Sequence, residues 1–174
     1  MEFTIRKAER KDAEAIAHVH VESWRSTYAE ILPATFLGSI DSGARARLWQ
    51  EQIAAGTSII LVAESSGGIV GFVSGGRSRE TMEGCDAELY AIYMLCEYQG
   101  RGLGRALVCA LVDSLREEGY RAMLVLVLEK NPAVSFYARL GGTQIARKPI
   151  EIGGVWLDEL VFAWFDIDAI VKAK

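Results

Sequence analysis

Apolar residues recur on two different periods along this chain, and the switches between them outline its elements. Residues 3–7 alternate apolar and charged types, as a half-buried strand does. From 12 to 24 the period lengthens. Ala13, Ile16, Ala17, His20 and Trp24 fall at i, i+3, i+4, i+7 and i+11, one face of a helix. A second helix is predicted over 44–55, stopped by Gly56. Between the two, 26–43 is irregular and holds Pro33, yet it carries Tyr28, Leu32, Phe36 and Leu37. So apolar a segment predicts a folded lid or a short helix, not a tether.

Strands follow. Residues 58–64 and 69–75 flank Ser65-Ser66-Gly67-Gly68, read as a four-residue hairpin loop. After a polar connection over 77–84, residues 86–95 form a long and mostly apolar strand. A helix over 102–118 has Leu103, Leu107, Ala110, Leu111 and Leu115 on its buried face and Gly119 as a natural stop. The continuous apolar run at 121–128 fits a strand covered on both faces. Asn131-Pro132 reads as a helix start, with Asn as cap and Pro at the first position. That short helix ends at Gly141-Gly142, and strands at 143–147 and 155–165 close the chain. The order predicts a mixed sheet with helices on its faces. The strand–helix–strand unit at 86–128 predicts a right-handed crossover between two parallel strands.

Composition narrows the class. A chain of 174 residues and 19.1 kDa implies one domain, residues 1–174, and 51% apolar with 24% charged residues excludes a disordered one. Lys plus Arg number 19 against 23 Asp plus Glu, a net charge of −4, so no nucleic-acid partner is expected. The longest apolar runs, such as 89–96, fall well short of the roughly 20 residues of a spanning helix, so no membrane partner is expected either. The first ten residues include Glu2, Arg6, Lys7, Glu9 and Arg10, unlike a secretory signal, and the expected location is cytoplasmic. Cys85, Cys96 and Cys109 form no CxxC and only two histidines exist, so three reduced thiols and no metal are expected.

The stretch with the most chemistry is Tyr98-Gln99-Gly100-Arg101-Gly102-Leu103-Gly104-Arg105, between a strand and the first turn of a helix. Glycines at alternate positions permit a tight turn and clear the way for a ligand. The amides of the helix N-terminus lack internal partners and carry partial positive charge, so the place suits a phosphate. Arg101 and Arg105 add donors at the rim. The spacing GxGxG is not the dinucleotide GxGxxG, and no Gly-Lys-Ser/Thr follows, which argues against NAD and ATP. The bland alternative is a glycine-rich turn that merely packs the helix on the strand.

Gln99-x-x-Gly102-x-Gly104 resembles the Q/R-x-x-G-x-G/A loop of the GNAT-type N-acetyltransferases. The resemblance covers nearly the whole chain. Ile5-Arg6-Lys7-Ala8 with Asp12 is similar to the family's first strand and helix, and residues 89–104 to its central strand and pyrophosphate loop. Asn131-Pro132-Ala133 with Phe136-Tyr137 and Leu140-Gly141 resembles its last helix, and Trp24, Tyr28 and Pro33 an acceptor-side region. The resemblance implies a GNAT-like α/β (α+β) domain. Its central mixed, mostly antiparallel sheet would have about seven strands, with helices on both faces.

It also implies acetyl-CoA as cosubstrate. Gln99, Gly100, Arg101, Gly102, Gly104 and Arg105 would hold the pyrophosphate. The backbone of Ile92, Tyr93 and Met94 would pair with the pantetheine arm, and the Met94 N–H would serve as oxyanion donor. Two positions depart from the family. Cys96 stands where many members carry Pro, and Asn131 precedes Tyr137 by one residue fewer than is common. Asn131 is thus either a CoA contact or a helix cap.

Acetyl transfer to an amine needs a neutral nucleophile, a stabilised oxyanion and a protonated leaving thiolate. Tyr137 is the candidate acid: a phenol of pKa about 10 stays protonated at neutral pH and can donate to a thiolate of pKa roughly 8.5. The alternative is a core tyrosine. Glu88 is the candidate base. Alternation places it on one strand face with Tyr90, Ile92 and Met94, and a carboxylate in an apolar strand asks for water or a ligand. It lies 11 residues before Gln99, as a catalytic glutamate does in some family members. The alternatives are a structural pair with an arginine or action through water.

Trp24, Tyr28 and Glu30 are candidates for the acceptor pocket, with core packing the alternative for Trp24 and a solvated charge for Glu30. Asp158-Glu159 reads as a surface pair, with an amine-binding role as the alternative. The expected function is N-acetylation by direct transfer in a ternary complex. The acceptor is a small-molecule or peptide amine, which the acidic balance favours as a cation. A homodimer through the last strands is possible. The rival readings are a non-catalytic acyl-CoA-binding sensor or partner module, and a nucleotide-binding protein.

Overall fold

The alternating stretches become seven strands of one open sheet in the computed structural model, which describes residues 2–172. In chain order the elements are β1 (Thr4–Lys7), α1 (Ala13–Thr27), α2 (Ala34–Gly38), α3 (Ser42–Ala55), β2 (Ile59–Ser65), β3 (Gly68–Arg77), β4 (Ala87–Met94), α4 (Leu103–Glu117), β5 (Met123–Leu128), α5 (Ala133–Arg139), β6 (Thr143–Ile152), β7 (Val155–Trp164) and α6 (Asp168–Lys172). The strand order is β1-β2-β3-β4-β5-β7-β6. Only the β4–β5 pair is parallel, as its intervening helix requires.

Local chemistry explains most boundaries. Asp41 caps α3 by accepting from the Ala44 N–H, and Gly56 ends it in the left-handed conformation at φ 62. The β2–β3 hairpin is tighter than the sequence suggested. Ser65 and Gly68 pair as strand residues, leaving Ser66 and Gly67 as the turn. Strand β6 runs past the expected end at Arg147 because Pro149 lies on an edge strand, where a missing N–H is tolerated. The apolar lid region contributes the last turn of α1 and all of α2.

The two sheet faces carry separate cores. Leu103, Leu107, Leu111 and Leu115 of α4 pack on Val73, Leu89, Val125 and Phe162. Helices α1 and α3 place Ile16, Val19 and Trp49 on Val62 and Phe72 across the sheet. Each such buried side chain contributes about 1.5–3 kcal/mol. Helix α4 sits so close that a Cβ at Gly75 would come within 2.9 Å of Leu111 Cδ2 and 2.7 Å of the Glu88 carbonyl. A third cluster of Tyr28, Leu32, Leu37 and Leu128 joins the lid to Ile150 and Ile152 of β6.

Strand β4 is not regular. On β3 the register advances from Ser74 to Gly75, while on β4 it moves from Ala91 to Leu89, so Tyr90 is an extra residue in a bulge. A one-residue slip exchanges the two faces. Leu89, Ile92 and Met94 therefore pack on the α4 side, whereas Ala91 and Tyr93 pack on the α1 side. This corrects the expectation that Glu88, Tyr90, Ile92 and Met94 share one face: Glu88, alternating with Leu89, lies opposite Ile92 and Met94. Strand β4 pairs with β5 only over residues 87–89 and 123–125. Past the bulge the two strands part and leave a wedge.

His20 of α1 lies behind that wedge, stacked on the Tyr93 ring at 5.0 Å and flanked by Trp24, Trp49 and Phe72. Burial, with Arg45 adding to it, pushes its pKa down from 6.5 to about 3. The unfolded chain then binds a proton that the folded chain refuses, so stability is unaffected above pH 6.5 and is lost as pH falls toward 3. Each pH unit in that window costs about 1.4 kcal/mol. We expect urea unfolding at pH 5 to show a loss of about 2 kcal/mol relative to pH 7 from this group. His20→Leu should remove that share of the pH dependence; an unchanged dependence would refute the assignment.

Candidate active site

The wedge between β4 and β5 opens into a cavity of about 1200 Å³. One end is the glycine loop. Gly100 (φ 69) and Gly102 (φ 85) hold left-handed conformations that side chains resist, and Gly102 is the residue from which α4 starts. A Cβ at either would meet nothing within 4 Å, so the space above the loop is open. The first helical bond runs from Ala106 N–H to Gly102 O at 3.0 Å, and the preceding amides of the first turn lack intrahelical acceptors. Gly104 serves packing as well: a Cβ there would meet Met94 Cε at 3.1 Å and the Phe136 ring at 3.4 Å. Open space over donor-rich backbone at a helix start fits a diphosphate.

The arginines of the loop differ. Arg105 lines the cavity and donates from Nη2 to the carbonyls of Ile170 and Val171, both at 3.4 Å, tying α4 to α6. Arg101 is exposed and lies outside the cavity lining. Gln99 is exposed, and its Nε2 donates to the Met94 carbonyl at 3.5 Å; Ser23 Oγ donates to the same oxygen at 3.2 Å. These two bonds fix the Met94–Leu95 peptide. The Leu95 N–H bonds Val70 O on β3 at 2.9 Å. Antiparallel alternation then turns the peptide groups of Ile92 and Met94 away from β3, toward the wedge.

Three tyrosines converge in the middle of the cavity. Tyr137 of α5 packs against Phe136, Phe162 and Trp164, and burial pushes its phenol well above the ordinary value. Burial raises Tyr28 and Tyr93 as well, and these two hydroxyls lie near one another. Asn131 orders the group. Its Oδ1 accepts from the Ala133 N–H at 2.8 Å, which fixes the amide, and its Nδ2 donates to the Tyr28 hydroxyl at 2.9 Å. The cap role expected of Asn131 is thus present, and its side chain is occupied by partners within the chain. Trp24 lies edge-on to Tyr28 at 4.9 Å and lines the cavity. Its Nε1 approaches the Tyr93 hydroxyl without hydrogen-bond geometry.

The far end is charged. Glu88 is 1% exposed and is held by Arg79: the Arg79 backbone N–H donates to Oε2 at 2.9 Å, and the guanidinium Nε to Oε1 at 3.1 Å with Nη2 closer still. The guanidinium also stacks on the Tyr90 ring at 4.2 Å. Glu88 is therefore a saturated ion pair, the arginine-paired alternative, and not an open base. Glu30 must also be corrected. The turn after α1, with Ile31 and Leu32 N–H groups bonding Tyr28 O, buries Tyr28 and Leu32 and turns Glu30 out to solvent, away from the cavity lining.

Three residues that sequence reasoning missed, Arg79, Glu80 and Lys148, line the same end beside Glu159, for which the sequence left an amine-binding role as the alternative. Lys148 faces Glu159 across the β6–β7 hairpin, which turns at Gly153-Gly154. That dipeptide was the available signal, since a two-residue turn sets every cross-strand pair. Arg79 had none, because its approach to Glu88 depends on the bulged β3–β4 register. Asp158 is the exposed member of its pair and bonds Arg147 Nη2 at 2.6 Å.

A model of the acetyltransferase (GNAT) family matches residues 21–142. The uncharacterized N-acetyltransferase YuaI of Bacillus subtilis (strain 168) is 38% identical over 96% of this chain and 95% of its own. The L-amino acid N-acyltransferase MnaT of Escherichia coli (strain K12) is 30% identical over 95% of each. Among solved structures, the PaiA N-acetyltransferase of Thermoplasma acidophilum in complex with coenzyme A has the same fold, with a TM-score of 0.76 at 21% identity over 94% of this chain and 98% of that one. YncA of Salmonella typhimurium, solved with its cofactor acetyl-CoA, gives 0.71 at 25% identity over 97% and 95%.

The loop geometry makes a separable prediction. Gly102→Val should cost about 1–2 kcal/mol of stability for its left-handed backbone and abolish CoA binding in calorimetry. Gly119→Ala, also left-handed at φ 93 but at the opposite end of α4, should cost stability alone. Equal CoA affinity in the two variants would remove the diphosphate from this loop.

Proposed function

Since this chain belongs to the acetyltransferase (GNAT) family, and is an acyltransferase of that family, we propose that it carries the acetyl group of acetyl-CoA directly to the primary amine of a small molecule within a ternary complex. The carrying observation is one continuous cavity. It has an amide-rich loop at one end, protonated phenols in the middle and carboxylates at the other.

Acetyl-CoA bound along the wedge supplies an activated acyl carbon and a thiol leaving group. Gln99, Gly100, Gly102 and Gly104 with Arg105 hold its diphosphate, with Arg101 at the rim. The backbone of Ile92, Tyr93 and Met94 lies along its arm, and the Met94 N–H faces the acyl oxygen as donor. An amine that enters as ammonium first gives one proton to solvent; Tyr137 keeps its proton at neutral pH and delivers it to the departing sulfur, and the second proton lost by the amine restores the phenol. The Glu88–Arg79 pair fixes the cavity wall on the acceptor side, and Trp24 and Tyr28 shape the pocket for the amine. Asn131 positions Tyr28 for that task.

The state of Cys85, Cys109 and His20 supports direct transfer, while the third thiol, Cys96, is exposed and lines the cavity. Burial pushes the Cys85 and Cys109 thiols up, away from the reactive thiolate. His20 is neutral and enclosed by aromatic rings. Among the described residues no group of three metal-ligating side chains occurs, and no helix is long and apolar enough to cross a membrane. We propose a cytoplasmic location. The names of two relatives, the L-amino acid N-acyltransferase MnaT and a methionine sulfoximine/methionine sulfone acetyltransferase of Salmonella typhimurium, each 30% identical, favour a free amino acid or a close analogue as acceptor.

The test is release of free CoA from acetyl-CoA across amines grouped as amino acids, diamines and peptide amines. Turnover with one class is the expected outcome, and tight CoA binding without turnover on any amine would favour the sensor reading. With the best amine, Tyr137→Phe should lower kcat by about 100-fold and leave the KM for acetyl-CoA unchanged. An unaltered kcat would take Tyr137 out of the mechanism.

A further inference from the structure

Five ionisable side chains line the acceptor end of the cavity: Arg79, Glu80, Glu88, Lys148 and Glu159. Most of this charge is already spoken for. Glu88 accepts from the backbone and the guanidinium of Arg79. Lys148 Nζ lies 3.0 Å from Glu80 Oε2 but 3.8 Å from Glu159 Oε2, so its short contact is with Glu80. Glu159 is left with the long contact only.

Its setting leaves it open to a ligand. Glu159 stands on β7, flanked by Leu128 of β5 and Lys148 of β6, and its side chain is only 14% exposed. A carboxylate has about four lone-pair sites, and a contact of 3.8 Å is too long to be a hydrogen bond. An enclosed carboxylate with unfilled acceptor sites favours a cationic donor. Desolvation raises its pKa, as do Glu80 and Glu88, while Lys148 and Arg79 oppose the rise. Its charge is also felt at Tyr28, which lines the same cavity.

We infer that Glu159 is the carboxylate that receives the ammonium group of the incoming amine, and that it selects cationic amines over uncharged molecules of the same shape. The inference deepens the acetyltransferase reading and rests on it only for the name of the ligand as acceptor. Glu88 holds the cavity wall and Glu159 holds the substrate, so the two carboxylates divide the work by how fully each is satisfied. Lys148 acts as a resident competitor that shields Glu159 when no amine is present.

The experiment uses n-butylamine and its neutral counterpart 1-butanol, titrated by NMR at pH 7 into the full chain with and without saturating CoA. One charge-assisted bond predicts that the wild type prefers the amine by at least ~10-fold. Glu159→Gln should bring the ratio near one, and Lys148→Gln should raise it, with CoA affinity unchanged in both variants as the check on folding. A preference that survives Glu159→Gln, or a wild type that does not distinguish the two molecules, overturns the inference. Should Glu159→Gln fail to fold, a ratio that does not rise in Lys148→Gln overturns it as well. Loss of CoA binding by the wild type with the amine preference intact would instead refute the acetyltransferase reading and leave the ammonium site standing.

Discussion

Two parallel strands that share a ladder for three residues and then separate are the constraint from which the rest of this molecule follows. A sheet normally has no room for a ligand between neighbours, since each backbone group there is committed to the next strand. The extra residue Tyr90 falls directly after the last shared pair and bends β4 away from β5. Peptide groups of Ile92 and Met94 that would otherwise have joined β5 face the gap. The cavity is thus lined by main-chain groups that no neighbouring strand takes up, the Met94 N–H among them, and a ligand that extends the sheet can use them.

The bulge has a second effect, on side chains. It turns Ile92 and Met94 to the α4 face while Glu88 stays on the other, so the apolar wall and the charged wall of the cavity come from one strand. Met94 then packs on Gly104 and Phe136 and couples the strand to the loop. Tyr93 is sent to the α1 face, where it stacks on His20 and reaches the Tyr28 hydroxyl. The convergence of three phenols from the turn after α1, from β4 and from α5 is therefore a product of strand geometry as much as of residue choice.

Charge is distributed by the same economy. Most buried polar groups find a partner, and the carboxylates of the cavity do so to different degrees. Glu88 is saturated by a single arginine, Glu80 shares a lysine, and Glu159 keeps capacity. Asn131 spends one end of its amide on capping α5 and the other on Tyr28, so a single side chain joins a helix start to the lid. Stability and function thus draw on the same few polar residues.

The sequence alone determined the strand order along the chain, the parallel crossover, the glycine loop and the tyrosine of α5, though not the short α6, because those rest on local spacing: period 2 or 3.6, a glycine where φ must be positive, a cap before a helix. It also carried the Gly153-Gly154 turn, from which the Lys148–Glu159 pairing follows. Tertiary structure alone decided which face each residue of β4 presents and where that strand leaves its neighbour. A bulge is one unpaired residue whose position is set by the partner strand's register, and Ser74, Gly75 and Leu111 settle that register from distant parts of the chain. Arg79 reaches Glu88 and Glu30 turns away from the cavity for the same reason: the environment of a charge is a sum over neighbours that only folding brings together.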